Sequence, residues 1–270
     1  MKESAKMQVL VTGAASGIGR AVTAVLVKNG HTVYALDIHT PTTEGVVALT
    51  GDITSEEDMS KVKGHLERLG AKLDWIVNFA GVHTMASFIE EDYNKLKRLT
   101  EINFLGAVLV NKTFHSLLKK DGKIFITSSE VAPLAALPFN GVYSVSKTAL
   151  DAYAQALRQE LNLLGQRVVT LRPGAVATPL AGGNISATER LCESTELYKS
   201  ESKYFCAIVR KFTGTPMSAE KLAKFVYKIL LKKKPKYVYA KHRNLGLFLL
   251  GCLPISWQCW VVKKLVQRKG

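Results

Sequence analysis

The sequence predicts an α/β fold, a doubly wound parallel sheet of about seven strands with helices on both faces. Three observations carry that expectation. Short β-branched apolar runs alternate with segments of helical period along most of the 270 residues. Most of these runs are apolar through their middle, as strands covered on both faces must be. A glycine-rich turn joins the first run to the first helical segment, at the edge where an open parallel sheet binds its ligands.

The strands are read, in order, as "MQVLVT" (7–12), "HTVYALD" (31–37), "VVALTGD" (46–52), "LDWIVNFAG" (73–81), "GKIFITSS" (122–129), "RVVTLRPG" (167–174) and "KYVYA" (236–240). Helices are expected over 17–29, 55–69, 92–119, 144–164 and 218–232. Right-handed crossovers put every strand's carboxyl end on one edge, so the residues just after each strand are the first candidates for function. Segment 182–217 reads as polar and irregular, and the chain turns apolar again after residue 241. These breaks divide it into a main unit over 1–241 and a C-terminal extension over 242–270.

Apolar content of 47% and charged content of 22% are ordinary for a folded globular protein. The net charge of +15 is informative through its location. Residues 203–270 hold 16 Lys/Arg and one acid, Glu220, whereas residues 1–202 hold 21 of each sign. Such a basic region favours nucleic acid or anionic lipid. Its basic residues accompany bulky aliphatics and no recognition motif, so nucleic acid is not the expected partner. The four cysteines lack metal-ligand spacing, which predicts free thiols in a reducing compartment and no metal. The start, "MKESAKMQVLVTG", runs from a short polar stretch straight into a strand-like run. No signal peptide is expected, and the chain is placed on the cytoplasmic side, peripheral to a membrane if the extension binds one.

The turn "VTGAASGIGRA" holds Gly13, Gly17 and Gly19, with Ser16 and Ile18 between them. Its glycines permit a tight turn and close backbone approach, and the helix that follows points free N–H groups and a positive dipole end at a pyrophosphate. Asp37 ends the second strand, where a carboxylate accepts hydrogen bonds from ribose hydroxyls and repels a 2′-phosphate. Ile38 follows it, and the nearest cationic residue, Arg20, stands one place too late to bind that phosphate. The expected cofactor is NAD(H) rather than NADP(H).

The combination of "TGAASGIG", "GDI" (51–53), "NFAG" (78–81), "NFLG" (103–106), "SS" (128–129), "YSVSK" (143–147) and "RPGAVAT" (172–178) resembles the short-chain dehydrogenase/reductase family, in its order and spacing across residues 7–178. The resemblance implies a Rossmann-like sheet, Asp52 and Ile53 near the adenine, and Asn78, Ala80 and Gly81 along the cofactor. It also implies Pro173, Gly174, Val176 and Thr178 around the nicotinamide carboxamide. Phe79 replaces the second Asn of the family's usual Asn-Asn-Ala-Gly, a change that leaves the backbone path intact.

Three tyrosines precede a lysine by four residues: Tyr93, Tyr143 and Tyr237. Tyr93 lies in the charged stretch "EEDYNKLKR", a solvated face. Tyr237 lies in a strand-like run, where four residues span about 13 Å. Tyr143 alone follows a strand's carboxyl end and opens a helix, so Lys147 stacks on the same face. Moving a hydride at a secondary alcohol requires proton transfer at oxygen, and a free phenol titrates near ~10. A neighbouring ammonium and an oxidised nicotinamide favour the phenolate. Tyr143 and Lys147 are therefore the expected acid/base pair, with Lys147 also on the nicotinamide ribose.

The family's serine stands thirteen residues before its tyrosine, a position held here by Glu130. One inserted residue around Pro133 restores the fit, which selects Ser129, with Ser128 next. Asn103 matches the family's asparagine that links the lysine to solvent through water.

The stretch "LPFNGVYSVSK" resembles steroid 17β-dehydrogenases within the family, with Leu137, Pro138, Phe139 and Val142 as an apolar wall; ordinary loop packing accounts for the same residues. In relatives, the stretch corresponding to 182–217 covers the substrate. Leu191, Leu197, Tyr198, Tyr204 and Phe205 are its bulky members. A hydrophobic secondary alcohol or ketone, steroid or otherwise lipid-like, is the expected substrate. A 3-oxoacyl or sphingoid ketone is the alternative, and an NAD-binding membrane scaffold the non-enzymatic one. Relatives pair through the helix corresponding to 144–164, which implies a homodimer or homotetramer, though core burial explains the same pattern.

Residues 245–262 carry no charge and lie between Lys241, Arg243, Lys263 and Lys264. Pro254 and Gln258 interrupt them, and Trp257 and Trp260 suit an interface. An anionic membrane surface, met by a segment lying in the headgroup region and helped by "KKKPK" (232–236), is one expectation. Packing of 245–256 over the substrate mouth is the other.

Overall fold

The computed structural model describes residues 5–132, 137–212 and 214–267 and, within them, all side chains but those of 179–186 and 212. Strand β1 (Gln8–Thr12) leads through the glycine turn into α1 (Gly17–Lys28), followed by β2 (Thr32–Asp37), β3 (Val47–Thr50), α2 (Glu56–Arg68) and β4 (Leu73–Asn78). Then come α3 (Tyr93–Thr100), a π-helical turn (Glu101–Leu105), α4 (Gly106–Phe114), a 3₁₀ turn (His115–Leu117), β5 (Leu118–Thr127), α5 (Gly141–Leu163) and β6 (Arg167–Pro173). The chain continues through β7 (Val176–Ala177), α6 (Pro179–Ser194), α7 (Lys199–Phe212), β8 (Met217–Ser218), α8 (Ala219–Leu230) and β9 (Val238–Lys241). It ends in a helical hairpin, α9 (Leu245–Gly251) and α10 (Ile255–Val266).

Seven strands form one parallel sheet in the order β3-β2-β1-β4-β5-β6-β9. The order reverses direction at β1, and the crevice beyond its carboxyl end is where such a sheet takes a ligand. The period of two decides the layers. Leu10 faces an apolar cluster completed by Met59, Val110 and Leu150 of α2, α4 and α5. Its neighbours Val9 and Val11 face the opposite cluster, completed by Val22 and Leu26 of α1 and Leu222 and Val226 of α8. Each such fully buried side chain contributes roughly 1.5–3 kcal/mol.

Two sequence expectations are corrected. Segment 182–217 is mostly helical: α6 and α7 pack through Leu191, Phe205 and Cys206, and Phe205, Ile208 and Val209 stand at the helical spacing i, i+3, i+4 within a polar sequence. The helix expected over 92–119 is broken by the π-helical turn and ends early, because β5 begins at Leu118, opposite Leu73. Charged "KKDG" hides this first part of the strand, where Lys119 is paired with Asp74 at 2.8 Å. The apolar tail folds as two helices divided just before Pro254, which disfavours helical backbone at the residue preceding it.

Candidate active site

Gly13 has φ +69°, and a Cβ there would stand 2.6 Å from the Ala80 nitrogen. A Cβ at Gly19 would stand 2.1 Å from the Gly13 carbonyl oxygen. These glycines let β1, the turn and the strand end at Ala80 close on one another. Ser16 caps α1 in an extended conformation (φ −144°) and makes no side-chain cap bond, and the first turn holds no acid. The caps Ser55, Asp92, Ser218 and Asn244 of α2, α3, α8 and α9 do accept such bonds. The start of α1 thus keeps its N–H groups and dipole for another anion.

A cavity of about 290 Å³ opens on this turn. Gly13, Ser16, Gly17, Ile18 and Gly19 line it from the turn, Asp37 from the end of β2, and Asp52 and Ile53 from beyond β3. Ala80, Gly81 and Thr178 line the side toward β4 and β7. A free helix start flanked by two carboxylates and apolar walls suits a pyrophosphate between two nucleosides. The Asp37 carboxylate accepts from Ala15 N (3.0 Å) and His39 N (3.1 Å).

Arg98 also lines the cavity, and no local signal revealed it, because it comes from α3, 46 residues after Asp52. Its guanidinium donates to the Asp52 carboxylate at 2.6 Å and to the Thr54 hydroxyl. Burial pushes the Asp52 carboxyl up, but hydrogen bonds from Thr54 and Arg98 outweigh it and hold the group below the usual carboxylate range. The sequence offered Arg20 as the nearest cation to this site; Arg98 lines the cavity instead, paired with Asp52.

Six residues expected along the cofactor do not line this cavity: Asn78, Pro173, Gly174, Val176, Tyr143 and Lys147. The Asn78 amide turns inward, donating to Asn111 Oδ1 (3.0 Å) and to the Phe125 carbonyl (3.2 Å). Pro173 is buried at the end of β6, and Val176 is buried in the apolar cluster with Met217. Gly174 donates its N–H to the Lys241 carbonyl, and its missing side chain leaves room above all for the His242 carbonyl, with the Glu130 carboxylate next, 3.1 Å from where a Cβ would be.

The cavity meets the tyrosine–lysine helix at Gly81, where a Cβ would lie 3.1 Å from Asn103 Oδ1 and 3.4 Å from Lys147 Nζ. Asn103 sits in the π-helical turn, a departure from α geometry that aims its amide at the loop after β4. Its Oδ1 accepts from Val82 N (2.7 Å), and its Nδ2 donates to the Val82 carbonyl (2.9 Å) and Ser146 Oγ (3.0 Å). Lys147 is buried and donates to the Thr127 carbonyl at 3.2 Å, with Nζ 5.8 Å from the centre of the Tyr143 ring. The Ser129 hydroxyl stands near enough to the Tyr143 phenol to favour its ionised form. Ser128 turns away, its hydroxyl donating to the Lys147 backbone carbonyl at 3.2 Å. Pro133, the expected place of the inserted residue, lies outside the described residues.

Burial pushes the Tyr143 phenol above its ordinary value; the Ser129 hydroxyl opposes this and the Glu130 charge adds to it. Without the oxidised nicotinamide that the expected phenolate also calls on, desolvation wins and the phenol keeps its proton. Lys147 is lowered by burial to about 8, so its ammonium is held at a cost. His83, two residues past "NFAG", went unnoticed in the sequence. Its ring meets the Tyr143 ring edge to face with centroids 4.6 Å apart, and its Nε2 bonds Asn140 Oδ1 at 2.9 Å. Burial pushes the imidazole down; the Asn140 bond opposes this and the Lys147 charge assists it, so the ring stays neutral.

Phe139 holds the left-handed conformation (φ 60°) four residues before Tyr143, a strain tolerated where packing enforces it. Its ring lies 5.3 Å from those of Tyr198 and Phe205, in an apolar cluster with Met85, Leu191 and Leu137. Leu197 and Tyr204 point to solvent instead. Tyr237 is held under Arg167, with 4.4 Å between the guanidinium and the ring centre, and Tyr93 is exposed.

A sequence profile of the family described as short chain dehydrogenase matches residues 7–189. The NADPH-dependent 1-acyldihydroxyacetone phosphate reductase of Schizosaccharomyces pombe is 31% identical over 182 residues, 64% of this chain and 60% of that protein. Estradiol 17-beta-dehydrogenase 2 of Rattus norvegicus is 32% identical over 191 residues, 66% of this chain and 50% of that protein. This chain thus matches only 50–60% of the length of these two relatives. A short chain dehydrogenase of Burkholderia cenocepacia, solved in complex with NADP, has the same fold, with a TM-score of 0.73 over all of both chains at 19% identity. Matched by the family profile over more than half its length, this chain belongs to the short chain dehydrogenase family of nicotinamide-dependent oxidoreductases.

Proposed function

We propose that the protein moves a hydride between NAD(H) and a hydrophobic secondary alcohol or ketone, steroid or otherwise lipid-like, with Tyr143 as general acid/base. The observation that carries this reading is the Tyr143 phenol, set near the Ser129 hydroxyl with Lys147 Nζ 5.8 Å from its ring centre, beside the mouth of the cavity at Gly81. When bound, the nicotinamide supplies or accepts the hydride and, oxidised, sets a positive charge beside the phenol. Gly13, Ser16, Gly17, Ile18 and Gly19 hold the pyrophosphate, and Asp37 holds the adenine ribose.

In reduction, Ser129 and Tyr143 donate hydrogen bonds to the substrate carbonyl oxygen, and Tyr143 gives up its proton as the alkoxide forms. In oxidation, the phenolate takes the alcohol proton. Lys147 stabilises that phenolate and binds the nicotinamide ribose, and Asn103 fixes the Val82 backbone beside them. Asp37 disfavours a 2′-phosphate, and Arg98 is committed to Asp52, which together support NAD over NADP. The aromatic cluster around Phe139 supports an apolar substrate. A ketone on an acyl chain is the second reading, favoured by the likeness to the acyldihydroxyacetone phosphate reductase.

Purified protein given sterols, long-chain secondary alcohols and 3-oxoacyl esters should change the absorbance of the reduced nicotinamide with NAD in preference to NADP. Tyr143→Phe should lower kcat by about a thousandfold or more while NADH binding, read by fluorescence, stays near the parent's. Full activity in that variant overturns the mechanism. Tight NADH binding with no turnover on any substrate supports a scaffold instead.

A further inference from the structure

An amphipathic helix on a protein surface buries its apolar stripe; the C-terminal hairpin does the reverse. In α9, Leu245, Phe248 and Leu249 share one face (i, i+3, i+4), and all three are exposed, Leu245 to 69%. In α10, Val262 and Val266 pack inward on the cluster of α6 and α7. The outer side carries Trp257 and Trp260, exposed to 62% and 60%, and Lys264 seven residues on from the first, so the three share a face. Ile255, at 78%, begins the helix beside them. The alternative that 245–256 packs over the substrate mouth as a buried helix does not describe this surface.

The charge carried by the hairpin and its flanking residues has one sign. Lys241, Arg243, Lys263 and Lys264 flank the hairpin, all exposed, and residues 242–270 contain no acid. The Arg243 guanidinium lies 4.6 Å from the Phe248 ring centre, at the root of the apolar face. Tryptophans beside lysines that reach past them suit a headgroup layer, where ring and ammonium stay wet and the apolar flank does not. Helices of 7 and 12 residues are too short for a bilayer core of about 30 Å. Among the described residues no helix is long and apolar enough to cross a membrane.

We propose that the α9–α10 hairpin docks the protein on an anionic bilayer surface, lying in the interface with Leu245, Leu249, Trp257 and Trp260 inserted. The "KKKPK" stretch is not part of this patch, contrary to the sequence expectation. It precedes β9 at the amino edge of the parallel sheet, whereas the hairpin follows the carboxyl edge. That is the edge of the catalytic residues: Glu130, next to Ser129, accepts from Asn244 N at 2.6 Å, and Val262 and Val266 share a cluster with Phe139. Docking therefore brings the apolar side of the active site to the lipid. The proposal is independent of turnover.

The test is co-sedimentation of the full chain with vesicles of phosphatidylcholine alone and with added phosphatidylglycerol, at low and high salt. Binding is expected on the anionic vesicles at low salt, with a blue shift of the emission of Trp257 and Trp260. Lys263→Gln with Lys264→Gln should weaken partitioning about 25-fold, at about fivefold for each basic residue, with unchanged circular dichroism. Trp257→Ser with Trp260→Ser should abolish the remaining binding. No binding to anionic vesicles at low salt overturns the proposal. So does a lipid-free dimer that the double tryptophan variant splits, since the face is then a contact between copies.

Discussion

Replacing Lys147 by methionine should stabilise the cofactor-free protein at neutral pH. The lysine is buried, and desolvation lowers it from 10.5 to about 8. At about 1.4 kcal/mol per pH unit, holding the ammonium in the fold costs about 3 kcal/mol. Its bond to the Thr127 carbonyl returns about 1 kcal/mol, so the variant should gain about 2 kcal/mol at pH near 7, or about 4 °C in Tm. The pH dependence has a definite sign. Because the folded value lies below the unfolded one, the unfolded chain holds the proton more tightly between them, and the parent gains stability as pH rises from about 8 toward 10.5. Other titrating groups are common to both proteins and cancel in the difference. Urea unfolding of both proteins at pH near 7 and near 10 should show the variant ahead at the lower pH and level or behind at the higher. The same variant should lose turnover. A variant less stable at neutral pH, or a difference that does not change with pH, would refute the account of an ammonium held against its solvation.

Ser129→Ala should lower kcat by about a hundredfold, whereas Ser128→Ala should change it less than about threefold and cost about 1 kcal/mol of stability; steady-state kinetics and urea melts separate the two. Gly19→Ala forces a Cβ to within 2.1 Å of the Gly13 carbonyl. The resulting shift of the turn should cost about 2–3 kcal/mol in a thermal melt and weaken NADH binding in a fluorescence titration. Asp37→Ala removes the carboxylate that faces a 2′-phosphate, and the NAD/NADP ratio of kcat/KM should fall at least about tenfold. Glu130 raises the Tyr143 phenol, so Glu130→Gln should move the pH profile of alcohol oxidation toward lower pH; a profile that stays in place excludes that coupling.

The strand–helix alternation was legible because strands buried on both faces, such as Val9–Val11, must be apolar throughout, a demand that composition alone reveals. The glycine turn was legible because Gly13 needs a positive φ and Gly19 an absent side chain. Both are local requirements written at single positions. The first part of β5 was hidden by its lysines, whereas the helical spacing of Phe205, Ile208 and Val209 in α7 stood in the sequence but among polar residues.

By itself, then, the sequence determined the order of elements, the turn, and a tyrosine and lysine on one helical face, since each depends on residues a few places apart. Tertiary structure alone decided what distant residues do to one another. It set Arg98 on Asp52 across 46 positions, laid His83 against Tyr143, turned Ser129 rather than Ser128 to the phenol, and left Trp257 and Trp260 exposed. The physical reason is desolvation. Whether a phenol keeps its proton, an ammonium strains to keep its charge or an apolar face lacks cover depends on what surrounds the group in space, and no window of the sequence contains that.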